Sequence, residues 1–340
     1  MRYIGGKSLL LDSLLTEIKD MRDIHTILDI FSGSGVVGAF FAGHGYKVLS
    51  NDLLYFSYVL ARGTIGIEHE PKFRELGIAD VINYLNTLDI SDTEYAPADC
   101  FVYRNYSPNE NCGRMYFQNH NAMKIDVIRM RIEDWKNAGV LSKDAYFYLL
   151  AALINAVPYV SNITGTYGAY LKYWDKRTYD PLQLKKPKLV KKAEKADCYN
   201  LDYKQMLGEQ VDLLYADPPY NSREYLPNYH ILETIARYDR PSIKGITGIR
   251  EYKEQKSDFC KKATVEHAFE SLLRDAKAKY ILISYNNEGL ISTAKLSEIC
   301  QSYAKGNSFH LTEIAYRRYK NKIPNNTEGL KEQLYFLRRN

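Results

Sequence analysis

The sequence of 340 residues is 45% apolar and 26% charged, with a net charge of +5. These are ordinary values for a soluble globular protein with a sizeable core, and a weak sign of an acidic partner. No apolar stretch approaches eighteen residues, which excludes a membrane-spanning helix. The first segment, MRYIGGKSLLLDSLL, carries Lys7 and Asp12 in its apolar part and lacks a small-residue cleavage site, which argues against a signal peptide.

In chain order, GGKS at residues 5–8 has the ending of a phosphate-binding loop. The glycine that such a loop needs five residues before Gly6 is Met1, and no strand precedes it, so a nucleotide triphosphatase is excluded. Residues 25–52, HTILDIFSGSGVVGAFFAGHGYKVLSND, read as strand, glycine turn, helix and second strand. This is one half of a doubly wound sheet. From about residue 66 to 195 the alternation breaks down. Here NAMKIDVIRMRIEDWKNAG and SKDAYFYLLAALINAV read as helices, and SNITGTYGAYLKYW as a loop rich in glycine and tyrosine. Strands resume with VDLLYA and AKYILISY, interleaved with the helices NYHILETIARY and TVEHAFESLLRDA. Two C-terminal strands, HLTEIAYRRY and EQLYFLRR, follow. The fold expected is an α/β, doubly wound, mostly parallel sheet. Residues 1–65 and 196–340 are expected to form one α/β domain, interrupted by a largely helical insertion over 66–195.

Cysteines are five, scattered, and without a CxxC pair. Neither a disulfide framework nor a zinc site is indicated, and no metal is expected. The cytoplasm is the expected location. Between Lys172 and Lys195 nine Lys/Arg stand against three Asp/Glu, a local excess of 9 − 3 = +6. That is the footprint of a polyanion surface or of a solvated face.

Three places carry chemistry. DIFSGSG, from Asp29 to Gly35, is a glycine turn that opens a helix. Its backbone can approach a ligand, and the helix N-terminus offers N–H donors. Asp52 ends the next strand, where an acid accepts ribose hydroxyls. DPPY, residues 217–220, ends the apolar strand VDLLYA, and ligands bind at the carboxyl ends of such strands. Asp217 supplies one acceptor and the Pro218 carbonyl a second, its direction locked by proline. Tyr220 supplies a flat face. Two acceptors and a ring suit a planar base that carries an amino group.

These motifs, in the order RYIGGKS, DIFSGSG, DPPY, closely resemble the alpha group of S-adenosylmethionine-dependent adenine-N6 DNA methyltransferases. The resemblance covers the chain outside the insertion. It implies a Rossmann-like methyltransferase fold, with a target-recognition domain in the insertion. It implies S-adenosyl-L-methionine as cofactor and S-adenosyl-L-homocysteine as product. Residue by residue, it implies cofactor roles for Tyr3, Gly5, Gly6 and Lys7, the Lys7 ammonium lying near the cofactor's carboxylate. Asp29, Phe31, Gly33 and Gly35 match the cofactor turn, Asp52 the ribose-binding acid, and Asp202 the acid at the cofactor's adenine, with Asp197 a near competitor. Asp217, Pro218, Pro219 and Tyr220 match the catalytic tetrapeptide, and its first residue favours adenine over cytosine.

The resemblance further implies that the target base flips out and that its amine attacks the methyl group directly. Duplex DNA is the implied partner. Lys172, Lys176, Arg177, Lys185, Lys186 and Lys188 are the expected phosphate contacts, and Arg104, Asn105, Arg114, Gln118 and Asn119 the candidate base readers. The reaction resembles that of a type II restriction-modification system with a separately encoded restriction endonuclease. A monomer suffices, because hemimethylated DNA needs one strand modified at a time. Two rivals share these motifs: an RNA adenine methyltransferase and a catalytically silent DNA-binding specificity subunit.

Overall fold

Apolar runs that alternate with amphipathic segments build the sheet expected. The computed structural model describes residues 6–191, 194–315 and 329–339. In chain order its helices and strands are α1 (Leu11–Ile18), β1 (Thr26–Asp29), α2 (Val36–Gly43), β2 (Lys47–Asn51), α3 (Tyr55–Arg62), α4 (Val81–Thr87), α5 (Phe101–Tyr106), α6 (Asn119–Asn137) and α7 (Lys143–Val160). They continue with β3 (Asp197–Tyr199), α8 (Tyr203–Met206), β4 (Val211–Ala216), α9 (Tyr225–Arg237), the hairpin β5 (Ile243–Lys244) and β6 (Ile249–Arg250), α10 (Val265–Asp275), β7 (Ala278–Asn286), α11 (Thr293–Tyr303), β8 (His310–Ala315) and β9 (Lys331–Arg338). Seven strands form one sheet in the order β3-β2-β1-β4-β7-β9-β8. Among the described strands of this sheet β9 alone runs opposite to the rest.

The side-chain period of two sorts each strand between two helical layers. Ile27, Leu213, Tyr215 and Leu282 face one core, with Leu14, Ile18, Val37 and Phe41 of α1 and α2. Leu28, Leu214, Ala216 and Ile283 face the other, with Met206, Phe269, Leu272 and Leu296 of α8, α10 and α11. Both faces are covered, so the central strands β4 and β7 are buried at almost every position. Strand order reverses between β1 and β4, and this switch point sets the position of the site.

The middle of the chain packs as a third core. Helices α4 to α7 enclose it, together with Phe56, Val59 and Leu60 of α3 and Leu226, Ile231, Leu232 and Ile235 of α9. The contact between α3 and α7 is close. A Cβ on Gly63 would stand 2.5 Å from the Phe147 carbonyl oxygen and 2.4 Å from the Ala151 Cβ. Helix α9 is broken at Tyr229, where φ is −130° and ψ 15°: a first turn from Tyr225, which tolerates Pro227, precedes the kink, and the rest of the helix runs on from His230, close to the expected start at Asn228.

After α7 the chain is not helical. Residues 161–196 form an extended strap with a single 3-10 turn, Lys176–Tyr179, among the described residues. Three asparagines, Asn121 and Asn162 buried and Asn86 half-buried, clip it down by imitating backbone partners. Asn121 donates to the carbonyls of Thr178 and Asp180 and accepts from Leu182 N–H. Asn86 donates to Leu184 O and accepts from its N–H. Asn162 donates to Leu171 O and Tyr173 O. The glycine–tyrosine loop is a buried turn at its centre. Tyr167 is 1% exposed, and its carbonyl accepts from Tyr116 Oη and lies 3.0 Å from His230 Nε2.

Asn121→Leu removes three bonds and strands buried backbone groups. It should cost about 2–4 kcal/mol, measured by urea unfolding. Limited proteolysis should cut first within residues 171–185.

Candidate active site

The glycine turn is shaped by left-handed backbone. Gly33 has φ +52° and Gly35 φ +75°, values that disfavour a side chain. The turn aims Gly33 N–H at Asp52 Oδ2, 2.7 Å away, while Leu54 N–H donates to Asp52 Oδ1 at 2.8 Å. Asp52 thus ties the turn after β1 to the end of β2. Each of its oxygens keeps a second lone pair for a ligand hydroxyl. Asn51, beside it, donates to Ile30 O and Leu201 O and accepts from Leu201 N–H, so it clamps the ends of β1, β2 and the segment after β3.

Asp29 is buried at the end of β1. Its Oδ2 accepts from Gly38 N–H at 3.1 Å, and Oδ1 has no hydrogen-bond partner among the described residues. Burial, then the charges of Asp217 and Asp52, push its carboxyl up to about 8. Burial likewise raises Asp52 to about 6, against the two N–H groups it accepts.

Asp217 follows β4 directly. Lys7 Nζ lies 3.2 Å from Asp217 Oδ1 and 3.0 Å from Glu332 Oε2 on β9. Burial raises Asp217 to about 6, opposed by Lys7 and reinforced by Glu332. Burial alone would lower the Lys7 ammonium, but Asp217 and then Glu332 reverse this and hold it above the ordinary lysine value.

Asp29, Asn51, Asp52, Lys7 and Asp217 line one cleft of roughly 1000 Å³, counting space open to solvent, with Glu332 behind Lys7 and outside the lining. Of the residues expected at the site, the structure brings together Gly6, Lys7, Asp29, Phe31, Gly33, Asp52, Asp202, Asp217 and Pro219. Asp202 lines the cleft and caps α8 by accepting from Lys204 N–H, whereas its competitor Asp197 is exposed on the edge strand β3. Gly35 shapes the turn without lining the cleft. Tyr3 and Gly5 lie outside the described residues. Pro218 and Tyr220 do not line the cleft. Tyr220 is 5% exposed and meets Tyr285 edge-on, ring centroids 6.4 Å apart. Lys7 lines the cleft, with its ammonium paired to two carboxylates of the chain itself.

Sequence reasoning missed the outer wall. Gln255, Lys256, Ser257 and Asp258 line it, with Tyr203 and Glu224. Three contacts hold this loop: Gln255 Nε2 to Glu233 Oε1 (2.8 Å), Ser257 N–H to Glu224 Oε2 (3.0 Å) and Lys204 to Asp258 (2.7 Å). Its polar run EQKSD gives no periodic signal that could have revealed it. Among the described residues no group of three His, Cys, Asp or Glu is placed to hold a metal, and no helix is long and apolar enough to cross a membrane.

The expected DNA-contact residues differ in what they touch. Lys172, Lys176, Lys185 and Lys188 are exposed on the strap, beside exposed Tyr173 and Tyr179. Lys186 pairs with Glu70 at 2.6 Å. Arg177 is half-buried and donates to the Ile163 carbonyl. Lys192, in the same basic run, lies outside the described residues. Of the candidate base readers, Arg114 spends its guanidinium on the carbonyls of Asn105, Gly245 and Ile246, docking the β5–β6 hairpin. Arg104 donates to Ala98 O and Asn105 to Phe101 O.

The cleft combines apolar walls with polar groups of both kinds. Phe31, Leu53, Leu54 and Tyr203 offer apolar walls, Asp52 and Asp202 acceptors, and the N-terminal turn of α2 donors. A family model described as D12 class N6 adenine-specific DNA methyltransferase matches residues 3–299. The chain is 41% identical over 345 residues to the Type II methyltransferase M.FokI of Planomicrobium okeanokoites, covering 100% of this chain and 53% of that protein. It is 39% identical over 349 residues to the Modification methylase StsI of Streptococcus sanguinis, 100% and 52% covered. To the Type II methyltransferase M.NlaIII of Neisseria lactamica it is 37% identical over 326 residues, 94% and 92% covered. The chain therefore spans about half the length of the first two relatives and nearly all of the third.

The raised acids set a pH dependence. Asp29 ionises near 3.8 in the unfolded chain and at about 8 in the fold. The fold holds a proton that the unfolded chain releases, so stability is fully present below that lower value and falls as pH rises toward 8. Asp52 and Asp217 act in the same direction up to about 6. Urea unfolding across this range should show the decline. In Asp29→Asn the part of it between pH 6 and pH 8 should disappear.

Proposed function

The chain belongs to the D12 class of N6 adenine-specific DNA methyltransferases, and from that premise we propose that it methylates the exocyclic amine of adenine within a short, specific duplex DNA sequence. The reading includes base flipping, direct attack by the amine, and membership of a type II restriction-modification system. One observation carries it. The carboxylate of Asp217, first residue of DPPY, opens into the same cleft as the glycine turn, Asp52 and Asp202.

In this reading Asp52 accepts the ribose hydroxyls, Asp202 faces the adenine of the cofactor, and Phe31 and Tyr203 pack on its flat surface. S-adenosylmethionine supplies a methyl group already activated on a sulfonium. The chain's task is to make a poor nucleophile reactive, because the lone pair of the adenine amine is conjugated with its ring. Asp217 and the Pro218 carbonyl accept the two amine hydrogens and draw the nitrogen toward a tetrahedral shape, with its lone pair free of the ring. Orientation and preorganised acceptors then carry most of the rate. Tyr220 is the stacking platform for the flipped base. Exposed Lys172, Lys176, Lys185 and Lys188 hold the phosphates and set register without reading sequence.

The test is to incubate the protein with tritiated S-adenosylmethionine and unmethylated bacteriophage DNA, with total RNA in matched tubes, and to identify the labelled base by mass spectrometry. Label in N6-methyladenine of DNA is expected, and label confined to RNA would overturn the substrate. Asp217→Ala should abolish transfer while calorimetry still shows DNA binding. Near-normal turnover in that variant would remove Asp217 from its role. Tyr220→Ala should weaken use of the flipped base by about 1–3 kcal/mol, and Tyr220→Trp much less. Equal damage from both would exclude stacking.

A further inference from the structure

Glu332 lies on β9, in a strand whose interior positions are otherwise almost wholly buried. It is itself 4% exposed, and Lys7 2% exposed. Two buried ions cost several kcal/mol each in desolvation, so a glutamate here needs a partner. Lys7 Nζ is that partner, at 3.0 Å, and it stands 3.2 Å from Asp217 Oδ1 as well. One ammonium is therefore divided between two carboxylates. Fully ionised, the three groups carry 1 − 2 = −1.

We propose that Glu332 is a positioning residue for methyl transfer: by sharing the Lys7 ammonium it lets Lys7 fix the Asp217 carboxylate without neutralising it. The proposal rests on the methyltransferase reading above. Asp217 has two requirements that conflict. It must be held still, which in a buried site calls for a cation. It must also accept hydrogens from a neutral amine, and an acceptor closely paired with a full positive charge does this poorly. With Lys7 alone the pair would be neutral. Without Lys7 the buried carboxyl would take up a proton. A second carboxylate on the far side of the ammonium keeps both properties.

The other groups facing Asp217 are Asp29 on β1, Tyr215 on β4 and Tyr225 on α9. Burial keeps Asp29 protonated to about 8 and raises both phenols well above the usual tyrosine value. At neutral pH the charge balance at Asp217 is thus set chiefly by Lys7 and Glu332.

Glu332→Gln tests this, since its amide oxygen still accepts from Lys7 while the charge is gone. The expected result is a kcat lowered on the order of tenfold, with S-adenosylmethionine binding by calorimetry unchanged. The acidic limb of the pH–kcat profile should move down by about one pH unit or more. The Asp217 carboxyl, followed by isotope-edited NMR in the protein without DNA, should titrate lower by the same amount. Glu332→Asp, which keeps the charge, should stay near the wild-type limb. An unchanged limb and an unchanged Asp217 titration in Glu332→Gln overturn the proposal. If wild-type protein methylates no adenine, the methyltransferase reading falls, and the NMR titration still decides whether Glu332 governs Asp217. If wild type methylates and Glu332→Gln equals it in rate and titration, only the role of Glu332 falls.

Discussion

The structure depends on the reversal of strand order between β1 and β4. Parallel strands need crossover helices, and a helix can lie on only one face of the sheet. From β1 the chain crosses by α2 on one face. From β4 the crossover to β7 carries α10 on the other. The carboxyl ends of β1 and β4 are neighbours left without a common cover, and a crevice opens there. Asp29 and Asp217 are the first residues to reach it, and every other residue of the cleft is placed relative to them.

Placing acids at the carboxyl ends of a sheet covered on both faces has an electrostatic consequence. Asp29, Asp52, Asp217 and Glu332 share little water, and burial raises the first three toward neutrality. They are answered unequally. Asp52 is satisfied by backbone N–H groups of the turn it helps to shape. Asp217 and Glu332 divide Lys7. Asp29 has one N–H and an oxygen with no described partner. The ranking follows the supply of donors: carboxylates next to a turn find amides, and those in the sheet need a cation or a proton.

The middle segment is joined to this site through packing. Helix α3 begins just after Asp52 and α9 just after DPPY, and both bury their apolar faces in the core made by α4 to α7. Glu233 of α9 accepts from Tyr55 and Phe56 N–H at the start of α3, and from Gln255 in the wall of the cleft. The middle segment is thus tied to both motifs through α3 and through α9, which is kinked at Tyr229, in one continuous core.

The sequence alone determined the parallel sheet, the glycine turn, and the acids at 29, 52 and 217. Each of these is written in local pattern: continuous apolar runs, glycines where φ must be positive, proline where a strand must end. It also located α6, α7, α9 and α10, whose periodic apolar faces are long enough to be read. It could not find the wall at Gln255–Asp258 or the clips of Asn86, Asn121 and Asn162, because a polar side chain that bonds distant backbone looks in sequence like any surface residue. Nor could it show that Arg114 holds a hairpin, or that the strap after α7 is extended. Above all, Lys7 and Glu332 are 325 positions apart, and neither residue type nor spacing hints at the pair. Only tertiary structure brings the N-terminal segment and the last strand to the end of β4, because a buried charge selects its partner by proximity in space and by the lack of water.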